Sequence, residues 1–366
     1  MKVGIPREIK NHEYRVAVTP AGVHELVRRG HEVLIETEAG AGSSFSDTDY
    51  KNAGAQILTT AESVWQQTDL LLKVKEPIAA EYGLLRKGQV LFTYLHLAAS
   101  RACTEALLDS GTTAIAYETV VGRDGGLPLL APMSEVAGRL SVQAGAYHLM
   151  RHGGGRGVLL GGVPGVVPAK VVVIGAGVSG RNAIAMAYGL HADITVLDLD
   201  VAKLREIDDL YHGQVKTIVS NTYELERTVL EADLVIGAVL VPGAKAPNLI
   251  SNSVVARMKP GSVLVDIAID QGGCFEDSHA TTHAEPAYQV HQSVFYCVAN
   301  MPGAVPRTST HALTNATLPY VLALADQGWE QATGNVPGLA AGLSTHDGRL
   351  LSDTVAAAHE SSGRPQ

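Results

Sequence analysis

The sequence predicts an α/β protein of two domains with mainly parallel sheets. Short apolar runs alternate with helical patterns from the first residue, which is typical of βαβ units. A length of 366 residues suits two domains, since one domain takes about 150 residues. A second series of strands and helices begins at Lys170, and a glycine-rich turn follows its first strand.

The first 125 or so residues predict one complete α/β domain. Its first helix, "TPAGVHELVRRG", has Thr19 as N-cap, Pro20 at the first position and Gly30 at its end. Two more helices are predicted over "SDTDYKNAGA" and "SRACTEALLDSG". The predicted strands are "KVGIP", "HEVLIE", "DLLLKVK", "QVLFTYL" and "TTAIAYETV".

Two lysines close the strand in "DLLLKVKEP". Lys73 and Lys75 are two residues apart, so they lie on one face, and Pro77 ends the strand. In one interpretation the strand surfaces there and both lysines are solvated, because Lys is seldom buried unpaired. In the other, an anionic ligand binds at the carboxyl edge of the sheet, where open α/β sheets bind ligands.

A long helix, "APMSEVAGRLSVQAGAYHLM", is predicted to connect the domains. Its small residues recur at helical spacing, so we expect another element to pack very close to it. This stripe consists of Ala137, Gly138, Ser141, Ala144 and Gly145. The Gly- and Pro-rich segment 153–168 is predicted to be a loop or irregular hairpin.

The second domain is predicted to carry the strands "KVVVIGA", "DITVLDL", "ADLVIGAV", "GSVLVDIAI" and "VFYCVANM". A helix over 311–326, bent at Pro319, follows them, and the C-terminal portion is expected to pack back on the first domain. We expect residues 356–366 to form a mobile tail. The predicted domains are 1–128 with 307–366, which binds substrate, and 129–306, which binds the nucleotide.

Composition excludes several classes of function. With 46% hydrophobic and 18% charged residues and a net charge of −9, the chain lacks the basic footprint of a nucleic-acid-binding protein. Three cysteines without metal-type spacing are expected to be free thiols in a reducing, cytoplasmic compartment, and we assign no metal site. We expect neither a signal peptide nor a membrane-spanning helix.

A dinucleotide fingerprint lies in "VVVIGAGVSG". Gly175, Gly177 and Gly180 follow a buried strand and open a helix, so the turn is tight and a pyrophosphate can approach the helix N-terminus. Asp198 lies 18 residues after Gly180, where an acid accepts hydrogen bonds from the adenosine ribose and repels a 2′-phosphate. The motif therefore predicts NAD rather than NADP, with Asp200 a weaker candidate for the ribose contact. The alternatives are a tight turn that binds nothing and an S-adenosylmethionine site.

Candidate substrate residues lie at the expected strand ends, facing a cleft between the domains. The first domain supplies Arg15, Lys75, Tyr94 and His96, and the second supplies Asp270 and Asn300. Three of them have a simpler interpretation: Arg15 could be a surface residue, His96 a core histidine, and Tyr94 a residue that only packs. Asp266, in mid-strand, is interpreted as structural.

Several motifs together resemble the family of alanine dehydrogenases and the NAD-binding domain of proton-translocating transhydrogenase. They are "GIPREIKNHEYRVAVTPAGV", "LLLKVKEP", "LFTYLHLAA", "APMSEVAG", "VVVIGAGVSG", "VLVPGAKAP", "VDIAIDQGGCFE" and "VANMPGAVPRTST". The resemblance implies two Rossmann-type domains, NAD-dependent oxidative deamination of L-alanine to pyruvate and ammonia, the reverse reaction, and a homohexamer.

The resemblance also implies roles for individual residues. Arg15 would clamp the substrate carboxylate, and Lys75 would bind the substrate oxygen. Tyr94, a candidate from its place at the strand end rather than from the resemblance, would join them in binding substrate. His96 would be the general acid/base, and Asp270 would hold water or the amine.

Further positions are implied as cofactor contacts. They are Ser134, Val178, Ser179, Lys203, Ser220, Val239, Leu240, Ile267, Asp270, Val298, Asn300 and Met301. Asn300 and Met301 would lie by the nicotinamide. One departure concerns His279, where the family often has Arg, so this cofactor contact is not carried over.

Two rival interpretations stay open. The chain could be a related enzyme such as a saccharopine dehydrogenase, but a larger substrate needs more polar groups than the candidates supply. It could instead be a non-catalytic NAD-binding subunit, as in transhydrogenase, which passes hydride to a partner. That interpretation requires membrane segments or a docking loop for the partner, and the sequence contains neither.

Overall fold

The computed structural model describes residues 1–239 and 246–361. The chain divides into two compact units. Unit 1 comprises Met1–Met133 and Val305–Gln366, and unit 2 comprises Ser134–Ala304. The prediction of a two-domain α/β protein is confirmed.

The strands of the described residues alternate with helices along the chain. In chain order the strands are β1 Lys2–Ile5, β2 Glu32–Glu36, β3 Gln56–Leu58, β4 Leu70–Leu72, β5 Val90–Thr93, β6 Thr113–Ala116, β7 Lys170–Ile174, β8 Asp193–Asp198, β9 Lys216–Val219, β10 Leu234–Gly237, β11 Val263–Asp266, β12 Ala287–Val290, β13 Ser293–Tyr296, β14 Leu343–His346 and β15 Arg349–Leu350. The helices are α1 Pro20–Arg28, α2 Asp47–Asn52, α3 Ala61–Gln67, α4 Arg101–Ser110, α5 Ala131–Leu149, α6 Val178–Gly189, α7 Val201–Tyr211, α8 Thr222–Leu230, α9 Asn252–Val255, α10 Pro306–Asn335 and α11 Asp353–Ser361.

The sheet of unit 1 has the order β15-β14-β6-β5-β4-β1-β2-β3. Its strands β1 to β6 are parallel and lie in the order 3-2-1-4-5-6, that of the Rossmann fold. Strand β14 pairs antiparallel with β6, so the C-terminal portion completes this sheet. The prediction that it packs back on the first domain is confirmed.

The sheet of unit 2 repeats the same parallel order. Its strands run β12-β13-β11-β10-β7-β8-β9, and only β12 is antiparallel to its neighbour among the described pairings. Alternate residues of β7 face opposite sides: Val171 and Val173 join a core cluster with α5, α6 and α7, and Val172 and Ile174 join one with α8 and α9. Both faces of the sheet are therefore covered, as the continuous apolar strands predict.

Capping residues in the sequence predicted the ends of several helices correctly. Thr19 caps α1, and its side chain accepts from Gly22 N–H at 3.3 Å, while Gly30 after the helix has φ 84°. Ser46 caps α2 with a complete capping box. The predicted helix over 131–150 is α5, and the hairpin expected within 153–168 contains an antiparallel bridge between Val163 and Val166.

Other expectations were wrong. Strands β3, β9 and β12 were missed because they are short and half-exposed. The helix predicted over 311–326 begins earlier, at Pro306; α10 contains Pro319 and is interrupted at Gly328 (φ 76°, ψ 162°), two residues past the predicted end. The expected mobile tail is helical to Ser361, and its last residues lie outside the described ranges.

The small-residue stripe of α5 allows close packing, as expected. A Cβ on Gly138 would lie 2.1 Å from the carbonyl oxygen of Ser179 in α6. A Cβ on Gly145 would lie 2.6 Å from the side chain of Leu234 in β10. Helix α5 therefore packs against the start of α6 and the sheet of unit 2 with no room for larger residues.

Over the described ranges, no helix is both long enough and apolar enough to cross a bilayer.

Replacing Gly138 by Ala should destabilise the protein by about 1–3 kcal/mol, because the new methyl group meets backbone that cannot rotate away. The melting temperature measured by circular dichroism should fall. The matched control is Gly189→Ala at the end of α6, where a Cβ meets nothing within 4 Å. Equal melting temperatures for the two variants would contradict the close contact.

Candidate active site

The glycine-rich turn of unit 2 has the geometry that the fingerprint predicts. Gly175 has φ 102°, and a Cβ there would lie 2.8 Å from the carbonyl oxygen of Ala238. A Cβ on Gly180 would lie 1.8 Å from the oxygen of Gly175, so α6 can approach β7 only because this residue is Gly. Gly177 instead faces open space, and as N-cap it gives α6 no side-chain hydrogen bond. The turn therefore fits the pyrophosphate of a dinucleotide.

Asp198 ends β8, and the backbone holds its carboxylate in place. Oδ2 accepts a hydrogen bond of 2.6 Å from Ala176 N–H, and Oδ1 accepts one of 2.8 Å from Asp200 N–H. Asp198 thus joins the end of β8 to the glycine-rich turn after β7. Asp200 is the N-cap of α7 and accepts from Ala202 N–H, so its carboxylate already has a structural task.

The other predicted cofactor residues of unit 2 mostly follow the carboxyl ends of its strands. Ser220 follows β9, Val239 follows β10, Ile267 follows β11 and Val298 follows β13. Val178 and Ser179 open α6, Lys203 lies in the first turn of α7, and Ser134 lies in α5. Leu240 lies outside the described residues. Parallel pairing brings the strand-end group to one edge of the sheet, beside the glycine-rich turn.

Two further loops of unit 2 carry the candidates Asp270, Asn300 and Met301. Asp270 is exposed in a 3₁₀ turn, Ile269–Gln271, that follows β11. Asn300 has a left-handed backbone (φ 61°) and precedes a second 3₁₀ turn, Met301–Ala304.

Asp266 and His279 lie beside these loops. Asp266 is buried and accepts from the backbone N–H groups of Ala268 and Cys274 and from the Ser278 hydroxyl, which confirms its structural role. His279 is exposed, and its ring stacks on that of Tyr288 at 3.7 Å between centroids. His279 thus has a neutral aromatic partner at the position where an Arg was expected.

In unit 1, Arg15 forms a buried bidentate ion pair with Glu13. Nε donates to Oε1 at 2.7 Å and Nη2 to Oε2 at 2.5 Å, and both side chains are almost fully buried. Nη1 lies 2.9 Å from the sulfur of Met133. Burial acts to raise the pKa of Glu13, but Arg15 outweighs it and lowers that pKa to about 2. Arg15 is therefore held rigidly and is not the surface residue of the simpler interpretation.

Lys73 is a buried structural cation. Its Nζ lies 3.0 Å from the carboxylate of Glu8 and 2.8 Å from that of Glu81, and all three side chains are at most 5% exposed. Burial acts to lower the pKa of Lys73, but the two carboxylates raise it to about 12. The interpretation in which Lys73 is solvated was wrong.

Lys75 is also buried, and it lies in a loop because β4 already ends at Leu72. The backbone of this loop is fixed from two sides. Glu8 accepts from the N–H groups of Val74 at 2.6 Å and Lys75 at 3.4 Å, and the Thr93 hydroxyl donates to the carbonyl of Lys75 at 3.0 Å. The interpretation of both lysines as solvated is therefore excluded.

Tyr94 and His96 follow β5 at the same edge. Tyr94 is buried and donates through its hydroxyl to the carbonyl of Leu129 at 2.5 Å, and burial raises its pKa. The ring of His96 stacks on that of Tyr94 at 5.9 Å with 6° between the planes. His96 is 40% exposed in its side chain, so it is not a buried core histidine.

Two family models match this chain and together span most of it. The family described as "Alanine dehydrogenase/PNT, N-terminal domain" matches residues 4–137, and "Alanine dehydrogenase/PNT, C-terminal domain" matches 141–353. An alanine dehydrogenase of Mycolicibacterium smegmatis is 68% identical over 356 residues, which cover 97% of this chain and 96% of the relative. The chain belongs to the alanine dehydrogenase/PNT family.

Solved structures agree with this membership. A structure described as L-alanine dehydrogenase has a TM-score of 0.95 at 52% identity and covers 99% of both chains. A transhydrogenase from Sinorhizobium meliloti has a TM-score of 0.83 at 27% identity and covers 96% of this chain and 99% of its own. As a member of the alanine dehydrogenase/PNT family, this chain is an oxidoreductase acting on a CH–NH2 group, and its nucleotide-binding domain implies a nicotinamide cofactor.

In this alanine dehydrogenase/PNT chain, sequence reasoning missed the acids that hold the candidate residues. Glu13 holds the Arg15 guanidinium, Glu8 holds the loop of Lys75, and Glu118 accepts from the backbone of Leu95 and His96. Glu13 could have been found, since it lies only two residues from Arg15 in the sequence. Glu8 and Glu118 gave no local signal, because they meet their partners only through the strand order.

Replacing Lys73 by Met should destabilise the chain by about 3–5 kcal/mol, because Glu8 and Glu81 would stay buried without their cation. Urea unfolding followed by fluorescence measures this loss. The control is Lys87→Met, whose exposed ion pair with Asp347 should contribute at most about 1 kcal/mol. A Lys73 variant as stable as the control variant would mean that the carboxylates do not depend on this lysine.

Proposed function

We propose that the chain catalyses the NAD-dependent oxidative deamination of L-alanine to pyruvate and ammonia, and the reverse reaction. The observation that carries the proposal is the fixed group at the carboxyl edge of the unit 1 sheet: Arg15, Lys75 and His96. Two cations and an imidazole suit a small substrate that carries one carboxylate and one amino or keto group. The names of the relatives with 52% and 68% identity support the same substrate.

Arg15 is proposed to bind the substrate carboxylate. A planar guanidinium suits bidentate binding of a carboxylate, and the buried ion pair with Glu13 holds that of Arg15 in a fixed orientation. Lys75 is proposed to bind the substrate oxygen, and its ammonium would stabilise the negative charge that develops there in the transition state. Tyr94 contributes by packing against His96, since its hydroxyl donates to a backbone carbonyl.

His96 is proposed as the general acid/base. In the oxidative direction it would take a proton from the substrate ammonium group, and then from the water that attacks the iminium carbon. Its partial exposure suits exchange of this proton with solvent. Asp270, exposed after β11, is proposed to hold the attacking water or the amine by a hydrogen bond.

The cofactor is proposed to be NAD, which when bound accepts the hydride from the Cα of the amino acid. The open space at Gly177 and the uncapped start of α6 support binding of the pyrophosphate. Asp198 would repel the 2′-phosphate of NADP while accepting from the ribose hydroxyls. Asn300, Met301 and the strand-end residues of unit 2 are proposed to line the remaining contacts, and His279 is not included.

Assembly and location follow from the same family resemblance. A homohexamer is proposed, and the three cysteines, all buried free thiols, support a reducing compartment such as the cytoplasm. No nucleic acid or membrane partner is proposed. The transhydrogenase-like alternative, a subunit without its own dehydrogenase reaction, rests on a structure at 27% identity. A saccharopine dehydrogenase remains the alternative within the enzyme class.

The proposal is tested by NADH absorbance with purified protein, L-alanine and NAD, and no other protein. We expect NADH to form only with alanine among a panel of amino acids that includes saccharopine and glutamate. NADP in place of NAD should give a much lower kcat/KM. Absence of turnover with NADH binding intact would favour the transhydrogenase-like subunit, and turnover of saccharopine would favour the alternative enzyme.

Removing the Lys75 ammonium should lower kcat/KM in both directions by about a hundredfold, since one such donor contributes roughly 3 kcal/mol in a site that excludes water. Lys75→Ala measures this, and Lys75→Arg should restore little because the planar guanidinium does not replace a compact ammonium. Lys73 cannot serve as the control, since its loss exposes two buried carboxylates. Lys87→Ala can, because this lysine is 75% exposed, and equal kinetics for Lys75→Ala and Lys87→Ala would remove Lys75 from the site.

A further inference from the structure

Glu118 lies beside His96 because the strands that precede the two residues are parallel neighbours. Strand β5 pairs with β6 in a register that places Thr93 opposite Ala116. Glu118 follows β6 in a 3₁₀ turn, Tyr117–Thr119. Both loops therefore leave the sheet side by side at its carboxyl edge.

The carboxylate of Glu118 binds the main chain at His96. Oε1 accepts from His96 N–H at 2.6 Å and from Leu95 N–H at 3.2 Å, and Oε2 accepts from the same Leu95 N–H at 3.2 Å. Charge-assisted hydrogen bonds of this kind are stronger than those between neutral groups. Two successive N–H groups are thus directed at one side chain.

His96 has a backbone conformation that needs such support. With φ 48° and ψ 38° it is in the left-handed region, which residues other than Gly enter at a cost in free energy. The next residues continue into a 3₁₀ turn, Leu97–Ala99. A left-handed residue between β5 and this turn changes the direction of the chain and decides where the imidazole lies.

The imidazole itself is not hydrogen-bonded to Glu118. The distance from Nδ1 to Oε1 is 3.9 Å, which is beyond hydrogen-bonding range. The ring instead stacks on Tyr94, whose hydroxyl is fixed on the carbonyl of Leu129. Glu118 therefore acts on the backbone of His96, and Tyr94 acts on its ring.

We propose that Glu118 is the positioning residue of the reaction: it holds Leu95 and His96 by their N–H groups, fixes His96 in the left-handed conformation, and so directs its imidazole at the substrate. The proposal rests on the proposed function, in which His96 is the general acid/base. What Glu118 must supply is an oxygen at the correct reach; its negative charge strengthens the two hydrogen bonds but does not decide where the backbone of His96 lies.

Two conservative variants separate reach from charge. Glu118→Gln keeps an oxygen that can accept from both N–H groups, because Oε1 contacts both in the structure. Glu118→Asp keeps the charge but is one methylene shorter. We expect kcat for alanine oxidation to stay within about threefold for Gln and to fall about tenfold or more for Asp, since a lost hydrogen bond misplaces the base. KM for NAD should not change in either variant.

The reverse ranking, with Asp active and Gln impaired, would overturn the proposal, as would full activity in both. Glu105→Gln on α4 is the matched control, since this acid is 59% exposed and pairs only with Arg101 among the described contacts. NADH fluorescence and thermal unfolding show whether each variant is folded. If Asp does not fold, a folded but impaired Gln variant still rejects the proposal.

A structural readout separates this proposal from the proposed function. Crystal structures should show residue 96 in the left-handed region for Glu118→Gln and outside it for Glu118→Asp. If residue 96 of the Glu118→Asp variant is left-handed, the proposal that Glu118 fixes its backbone is wrong, whatever the activity of that variant. Turnover that persists in His96→Ala, or is absent from the wild-type protein, would instead reject the proposed function.

Discussion

Buried carboxylates are the constraint on which the candidate substrate-binding edge of unit 1 depends. An ionised carboxylate away from water is costly unless cations and N–H groups surround it. Glu8, Glu13 and Glu81 meet this demand with Lys73, Arg15 and the N–H groups after β4. These cations and N–H groups belong to the same loops that carry the candidate substrate residues. Folding of unit 1 and organisation of its site are therefore one process.

Much of the fold could be predicted from the sequence because its signals are local. Thr19, Pro20 and Gly30 mark the ends of α1 without reference to any other element. The fingerprint glycines act within a few residues of one another. Strands β3 and β12 escaped prediction because they lie at the sheet edges, where exposed residues such as Gln56 and Gln289 interrupt the apolar pattern.

The candidate site was less accessible to prediction, and Lys73 shows the reason. Spacing along a strand put Lys73 and Lys75 on one face, but β4 ends before both of them. Whether a lysine at that point is solvated depends on Glu8, which approaches from the loop after β1, and on Glu81. Glu118 and His96 are likewise adjacent only through the pairing of β5 with β6. Sequence patterns identified which residues carry chemistry, but the strand order decides which acids lie beside them.

Because β14 pairs antiparallel with β6, the strands of the two units are complete at different points of translation. Unit 2 is one continuous segment, so all of its strands have been made once Ala304 leaves the ribosome. The sheet of unit 1 is completed later, because Thr113 and its hydrogen-bond partner His346 are 233 positions apart. Until the last strands emerge, β6 is an open edge on a nascent sheet, with unpaired N–H and carbonyl groups that other chains could join. The order of translation thus leaves the sheet edge of unit 1 exposed for longer than any edge that unit 2 completes by itself.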